Sequence, residues 1–119
     1  MLTFLVFSNK TSEEVDPCKT ESSDIKSIII SKACYNYIDS DLLLKIAECE
    51  SGLKPDAQNP RSTASGIFQF LTSTFIYYAQ AYGLSTDNKN DPEIQAELAA
   101  RMIRDKGLSH WNESRDCWE

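Results

Sequence analysis

Apolar side chains recur at helical spacing from residue 24 onward. In the first stretch the three consecutive isoleucines at 28–30 would also suit a strand, but the wider spacing favours a helix. A second helix is predicted to begin at Asp39 or Ser40, either of which can cap it. It is apolar around most of its circumference, which is typical of a central, buried helix. The apolar positions of the first stretch are Ile25, Ile28, Ile29, Ala33, Tyr37 and Ile38.

Two further helices are predicted in the second half of the chain. Thr72 or Ser73 can cap the first of them, and Gly83 ends it. Asp91 and the residues after it make a clear helix start, with proline at the first helical position. On that helix Glu97 and Arg101 are expected to pair on the solvent side. The apolar stripe of the earlier helix is Phe75, Tyr78, Ala79 and Tyr82.

The stretch between the second and third helices has the composition of a loop. Residues 53–65 are rich in proline, asparagine, serine and threonine, which leaves room for a small hairpin but no long element. Residues 67–70 are too apolar for a solvent loop. The last ten residues hold two tryptophans and could form a short helix packed on the core. The predicted fold is therefore mainly α, within the α+β class, with a helical bundle around a central buried helix and a small β-hairpin or extended loop beside a cleft.

The beginning of the chain is predicted to lie outside the folded domain. Residues 2–7 are mostly apolar but lack a basic segment before them, so they are at most a degenerate or trimmed export signal. A disordered, weakly apolar tail is the alternative. Residues 8–23 are polar and aperiodic. We therefore expect a loose extension over residues 1–23 and one domain over residues 24–119.

Composition excludes some classes of function. The chain of 119 residues carries 18 acidic and 12 basic side chains, a net charge of −6, which argues against a nucleic-acid partner. No apolar run is long enough to span a bilayer, so we expect no integral membrane segment. We expect the domain to act as a monomer.

The cysteines form an even set, which is compatible with two disulfides in an oxidising compartment. Buried reduced thiols are the alternative. No CxxC motif is present and the single histidine stands apart from most cysteines, so no metal and no cofactor is expected. Cys117 lies in a terminal segment that must pack near the core, and we hypothesise that it bonds Cys49. This leaves Cys18 and Cys34 as a second possible pair.

Glu50 stands at the predicted C-terminal end of the second helix, just before Gly52. Helix carbonyls give that end a negative partial charge, and partial burial would further disfavour a carboxylate. The protonated form of Glu50 should therefore persist to higher pH than in a free peptide, as a proton donor requires. Glu48 points about half a turn away and is expected to be exposed or paired with a different group.

Two short pieces of sequence carry a resemblance to a known family. The first is Glu50-Ser51, and the second, after a loop, is the segment from Ala64 to Gln69 that precedes a helix. In this order and at this separation they resemble the signature of the soluble lytic transglycosylases of the lysozyme-like superfamily. The similarity covers about residues 40–107.

The resemblance implies cleavage of the β-1,4 bond between N-acetylmuramic acid and N-acetylglucosamine in peptidoglycan, without water as nucleophile. Glu50 matches the catalytic acid, which would protonate the glycosidic oxygen and then take the proton of the muramic acid 6-hydroxyl as a 1,6-anhydro ring closes. Ser51 matches a serine that positions sugar and acid, and Gln69 matches a glutamine that hydrogen-bonds substrate. The backbone of Gly66, Ile67 and Phe68 would line the cleft.

One part of the family pattern is missing. The family's Ala-Tyr-Asn-x-Gly segment, whose tyrosine contacts the acid, has no counterpart after the Asp91 helix. Either Trp111 and its neighbours replace that wall, or Tyr77, Tyr78 or Tyr82 reaches in. A core position or an interface anchor is the alternative for Trp111.

The resemblance also implies peptidoglycan glycan strands as partner and a location outside the cytoplasm, in the cell envelope, secreted or phage-associated. Two other functions stay open. One is a lysozyme-type hydrolase, in which water attacks the same bond. The other is a glycan-binding module that keeps the cleft without activity.

Overall fold

A computed structural model describes residues 15–119. In this range the chain is mainly helical, and in place of strands it has two isolated β-bridges, Gln58 with Ser65 and Ser65 with Phe70. The mainly α prediction is confirmed, with an extended loop in place of a hairpin. The helices are α1 (Ile25–Tyr35), α2 (Ser40–Ser51), α3 (Thr72–Ala81), α4 (Pro92–Lys106) and α5 (Arg115–Trp118), with a 3-10 helix (Ser109–Ser114) before α5.

The apolar run over residues 2–7, predicted to be at most a degenerate export signal, lies outside the described residues, as does most of the predicted extension. The boundary at residue 24 therefore stays a prediction. From residue 15 onward the chain runs beside α1, where Cys18 is bonded to Cys34. The Ser31 hydroxyl also donates to the carbonyl of Cys18 over 2.6 Å. This part of the extension is attached to the domain.

Local signals fix most helix ends. Asp39 and Asp91 cap α2 and α4, each accepting from the backbone N–H two residues later. Gly52 ends α2 in the left-handed conformation, with φ of 63°. The predicted cap of α3 is wrong: the capping position is Leu71, which makes no side-chain bond. The N–H of Thr72 bonds instead to the hydroxyl of Thr63, so the loop takes over the role of the cap.

Helix α1 ends at Tyr35, before the last two apolar positions of the predicted stretch. Tyr37 there adopts a left-handed backbone, with φ of 60°, which turns the chain into α2. Helix α2 then contacts α1, the 3-10 helix and α5. Its residues Leu43, Ile46 and Ala47 are fully buried, as expected for the central helix.

The loop segment before α3 belongs to the core. Ile67, Phe68 and Phe70 are completely buried and join Phe75 of α3 in one hydrophobic cluster. Full burial of each such side chain contributes about 2 kcal/mol to the free energy of unfolding. The segment beside the end of α2 is therefore held in place by three buried side chains.

Glu97 and Arg101 pair as predicted, with 2.7 Å between Arg101 Nε and Glu97 Oε2. The prediction that this pair lies on the solvent side is wrong, because Glu97 faces α1. The Glu97 side chain is only 15% exposed and also bonds Lys32 over 3.4 Å. Burial opposes its ionisation, but hydrogen bonds from Arg101 and Asn36, together with the positive charges of Lys32 and Arg101, outweigh that effect and lower the pKa of Glu97. The group joins α4 to α1.

Both hypothesised disulfides form. Cys49 is bonded to Cys117 and Cys18 to Cys34. The first of these bonds ties α5, near the end of the chain, to the residue that precedes Glu50. Within residues 15–119, no helix has the length and apolar character to cross a membrane.

Candidate active site

A cleft of about 510 Å³ opens at the C-terminal end of α2, between the 58–71 loop and the 3-10 helix. Glu50, Gln69 and Trp111 are the predicted site residues that line it. The other lining residues are Asn59, Ser62, Ala64, Leu71, Ser109, His110, Asn112 and Glu113.

Glu50 is half-buried, one residue before the end of α2. Burial raises the pKa of its carboxyl group, a hydrogen bond from Ser114 opposes that rise, and the nearby negative charge of Glu113 adds to it. The direction is the one predicted from sequence. Glu48 is exposed, as expected.

The chain's last helices supply the partner of Glu50. The hydroxyl of Ser114 donates to Oε2 of Glu50 over 2.6 Å. The indole N–H of Trp118 in turn donates to the Ser114 hydroxyl over 3.1 Å. This contact links the candidate acid to the terminal segment, which is one of the two candidates for the missing wall.

A buried glutamine of α4 holds the opposite side of the cleft in place. Oε1 of Gln95 accepts from the N–H of Phe68 over 2.9 Å, and Nε2 donates to the carbonyl of Ser65 over 3.0 Å. Gly66, at φ of 87°, leaves room for this amide, which lies where a side chain would begin. The group that approaches the Gly66 backbone closely is therefore the side chain of Gln95.

Gln69 follows this turn with a left-handed backbone, φ 54°. Such a conformation is uncommon for a residue with a side chain and occurs often at functional sites. Its Nε2 donates to the carbonyls of Gly66 and Ala57, over 2.9 and 3.1 Å. Within residues 15–119 its Oε1 receives no hydrogen bond, so this oxygen is available as an acceptor.

Ser51 connects the two signature pieces. Its hydroxyl lies 2.9 Å from the carbonyl oxygen of Ile67 and 3.1 Å from that of Ala47. It does not line the cleft. Ile67 and Phe68 are fully buried. Their backbone groups are bonded inside the domain: the Ile67 carbonyl accepts from Ser51, and the N–H and carbonyl of Phe68 bond Gln95 and Trp111. The cleft lining includes neither of them, nor Gly66.

Trp111 is 2% exposed and forms the base of the cleft wall. Its indole N–H donates to the carbonyl of Phe68 over 3.2 Å, and its ring packs edge-on against Phe70. The His110 ring packs against both of these rings, with its centroid 5.5 Å from that of Phe70 and 4.8 Å from that of Trp111. Loss of water around its imidazole lowers the pKa of His110, which favours the neutral ring.

The tyrosines lie elsewhere. Tyr78 packs against Tyr77 on α3 and lies under the Lys106 ammonium group, outside the cleft lining. The Tyr82 hydroxyl donates to Asp105 over 2.7 Å. Tyr77 is 67% exposed. The structure thus brings the terminal segment, and none of these tyrosines, to Glu50.

Sequence reasoning missed Glu113, Ser114 and Gln95. Glu113 and Ser114 stand next to a tryptophan expected near the cleft, but no motif places them. Gln95 sits on a helix face that is otherwise apolar, a signal that a buried polar side chain has a specific partner. Among residues 15–119, no three His, Cys, Asp or Glu side chains come together in a way that suits a metal ion.

The chain is similar to known proteins over most of its length. The family model described as "Transglycosylase SLT domain" matches residues 27–116. Proteins named "Probable transglycosylase SceD" are similar to this chain: those of Staphylococcus aureus strains bovine RF122 / ET3-1 and MRSA252 are each 31% identical over 105 residues. The match covers 87% of this chain and 42% of each relative, so the chain spans less than half the length of these relatives. No solved structure gives a significant match.

The family match, over residues 27–116, includes the end of α2, the loop turn and the 3-10 helix, which are the elements that surround the cleft. The chain belongs to the transglycosylase SLT domain family.

Proposed function

We propose that this chain is a peptidoglycan lytic transglycosylase that cleaves the β-1,4 bond from N-acetylmuramic acid to N-acetylglucosamine and leaves a 1,6-anhydro end. The observation that supports it best is Glu50, a half-buried acid whose pKa is raised, in a cleft shared with Gln69. The printed name of the relatives, a probable transglycosylase, points the same way.

In the proposed reaction, Glu50 is protonated when the glycan binds. It donates its proton to the glycosidic oxygen, and the bond to the anomeric carbon breaks. The resulting carboxylate takes the proton of the muramic acid 6-hydroxyl while that oxygen bonds to the anomeric carbon, with the acetamido group assisting. One carboxyl group thus serves as acid and then as base.

The other predicted site residues take smaller roles in this proposal. The free Oε1 of Gln69 accepts a hydrogen bond from a sugar hydroxyl or amide. Ser51 keeps the end of α2 against the carbonyl of Ile67 and so sets the distance between the acid and the loop. Trp111 supports the wall from below, and Gly66 gives Gln95 its space. Tyr78 has no role in it.

A hydrolase on the same bond is the second candidate, and Glu113 is the observation that favours it. Glycosidases that invert or retain configuration use two carboxyl groups, and Glu113 lines the same cleft as Glu50. In that mechanism Glu113 would activate a water molecule. A glycan-binding module without activity is the third.

The mass of the products separates these functions. Purified sacculi are digested with the full chain, and the soluble muropeptides are treated with borohydride and weighed. A transglycosylase gives muramic acid ends that are one water lighter and that borohydride does not reduce, whereas hydrolysis gives reducing ends that borohydride reduces. Reducible ends that disappear in Glu113→Gln would establish the hydrolase, and binding without any product would establish the binding module.

The proposed location is outside the cytoplasm, with peptidoglycan strands as the partner and a monomeric domain. The two disulfides support an oxidising compartment. Mass spectrometry of a non-reduced digest of the natural protein would detect both cross-links. Four free thiols in that digest would contradict the location.

A further inference from the structure

The hydroxyl of Ser114 has one proton and two acceptors within reach. Oε2 of Glu50 lies 2.6 Å away and the carbonyl oxygen of Trp111 lies 3.2 Å away. The N–H of Trp118 is directed at the Ser114 oxygen over 3.1 Å and at the same Trp111 carbonyl over 3.2 Å. Because Trp118 occupies one acceptor position of the Ser114 oxygen, the serine proton is left to point at Glu50 or at Trp111.

We propose that Ser114 is a positioning residue for Glu50, donating to its carboxylate and turning to the Trp111 carbonyl when Glu50 is protonated. In the protonated state Glu50 can donate its own proton to the Ser114 oxygen. The acid therefore has a partner before and after it gives up its proton. This inference rests on the proposed function, in which the same carboxyl group acts first as acid and then as base.

The position of Ser114 favours this role over one in stability alone. It lies 64 residues from Glu50 and makes its shortest bond to the candidate acid. A hydrogen bond to a charged oxygen is stronger than one to a neutral oxygen, so the contact tightens as Glu50 loses its proton. It stabilises the carboxylate that forms when the glycosidic oxygen is protonated.

Several charged groups lie on the elements around Glu50. Glu113 and His110 belong to the 3-10 helix, and Glu113 raises the pKa of Glu50. Arg115 of α5 is directed at Glu119, 3.8 Å away. The remaining charged side chains on these elements, Asp116 on α5 and Arg61 in the loop, are exposed. Glu113 is therefore left unchanged in the variants below, so that only the serine contact differs.

The first test is an NMR titration of the Glu50 carboxyl carbon in the full chain. Ser114→Ala should raise the pKa of Glu50, because the carboxylate loses its donor, and Ser114→Thr should keep the wild-type value. Ser27→Ala removes a hydroxyl from α1, far from the cleft, and should change nothing. Should Ser114→Ala not fold, Ser114→Cys keeps a side chain of similar size with a weaker donor and should move the pKa in the same direction.

The second test is turnover of purified sacculi across pH. Ser114→Ala should lower kcat about tenfold, which corresponds to about 1.4 kcal/mol, and should move the high-pH fall of activity to higher pH. Ser114→Thr should restore both. A structural role would lower activity without moving the pH profile.

The two proposals fail in different ways. An unchanged Glu50 titration in Ser114→Ala, or equal shifts in the Ala and Thr variants, would overturn the role of Ser114. No turnover, or only reducible ends, from the wild type would overturn the proposed function. The titration does not depend on turnover, so it measures the effect of Ser114 on Glu50 even if the proposed function is wrong.

Discussion

The side-chain amide of Gln95 lies where a Cβ atom on Gly66 would be, since an ideal Cβ there would stand 2.0 Å from Nε2 of Gln95. The same amide bonds the N–H of Phe68 and the carbonyl of Ser65. One helix of the core thereby fixes the turn that presents Gln69 to the cleft. The shape of the candidate site depends on this pair as much as on the residues that face the opening.

Gly66→Ala should destabilise the protein by about 3 kcal/mol, because the new methyl group displaces a buried, fully bonded amide and strains a left-handed backbone. Gly83→Ala is the matched control: its φ of 72° is similar, but nothing lies within 4 Å of the added atom. Gly83→Ala should lower the free energy of unfolding by about 1 kcal/mol, because only the backbone strain contributes. Urea unfolding measures both. Equal costs would show that the contact with Gln95 is unimportant.

Gln95→Glu should make stability depend on pH. The new carboxyl group can still accept from Phe68, but its second oxygen would face the carbonyls of Ser65 and Lys89 unless it is protonated. Its folded-state pKa is therefore raised above the unfolded value. Below the unfolded pKa the variant should be less stable than the wild type, because one O–H replaces two N–H donors, and it should lose further stability as pH rises through the folded pKa.

Thermal melts at about pH 4 and pH 8 measure this effect, with wild type as reference. Gln80→Glu on the exposed face of α3 is the control and should follow the wild type. A Gln95→Glu protein equally stable at both pH values would mean that a donor to the carbonyls of Ser65 and Lys89 is not needed at this position.

The two disulfides should differ in what their loss does to activity. Replacing Cys49 and Cys117 by serine should lower the free energy of unfolding by about 4 kcal/mol, and replacing Cys18 and Cys34 should lower it by about 3 kcal/mol. Both values follow from the loop that each disulfide closes in the unfolded chain. The first pair also holds the segment with Glu113 and Ser114 against α2. At a temperature where both variants are folded, sacculus turnover should fall severalfold only without the Cys49–Cys117 bond. Equal turnover in the two variants would contradict this role.

Glu113→Gln should move the pH profile opposite to Ser114→Ala. The negative charge of Glu113 raises the pKa of Glu50, so its removal lowers that pKa. Since the reaction begins with protonated Glu50, the high-pH fall of activity should move to lower pH, with maximal turnover changed less than about tenfold. Glu119→Gln at the exposed chain end should leave the profile unchanged. Complete loss of turnover in Glu113→Gln would instead favour the hydrolase.

Features set by neighbours in sequence could be predicted. Asp39 and Asp91 begin helices, and Gly52 ends one, because caps and left-handed ends depend on a few adjacent residues. The position of Glu50 followed from Gly52. The family motif predicts that Glu50 and Gln69 share a cleft. The periodicity of apolar residues alone does not predict that these two residues lie close together.

Features set by distant partners could not be predicted. The cap of α3 was wrong because Thr63, nine residues earlier, takes the N–H of Thr72. The Glu97 pair was placed in solvent because nothing local indicates that α1 covers it. Gln95, Glu113 and Ser114 acquire their roles from contacts 27 to 64 residues away or from a shared cleft, which no single spacing reveals.

The most direct test of the account is the release of anhydro muropeptides from purified sacculi by the wild type, Glu50→Gln and Glu48→Gln. Both glutamates lie on α2, but Glu48 is exposed and outside the cleft. Glu50→Gln should reduce anhydro product about a thousandfold, since general acid–base catalysis contributes at that order, while Glu48→Gln should match the wild type. Anhydro product from Glu50→Gln at the wild-type rate would contradict the account.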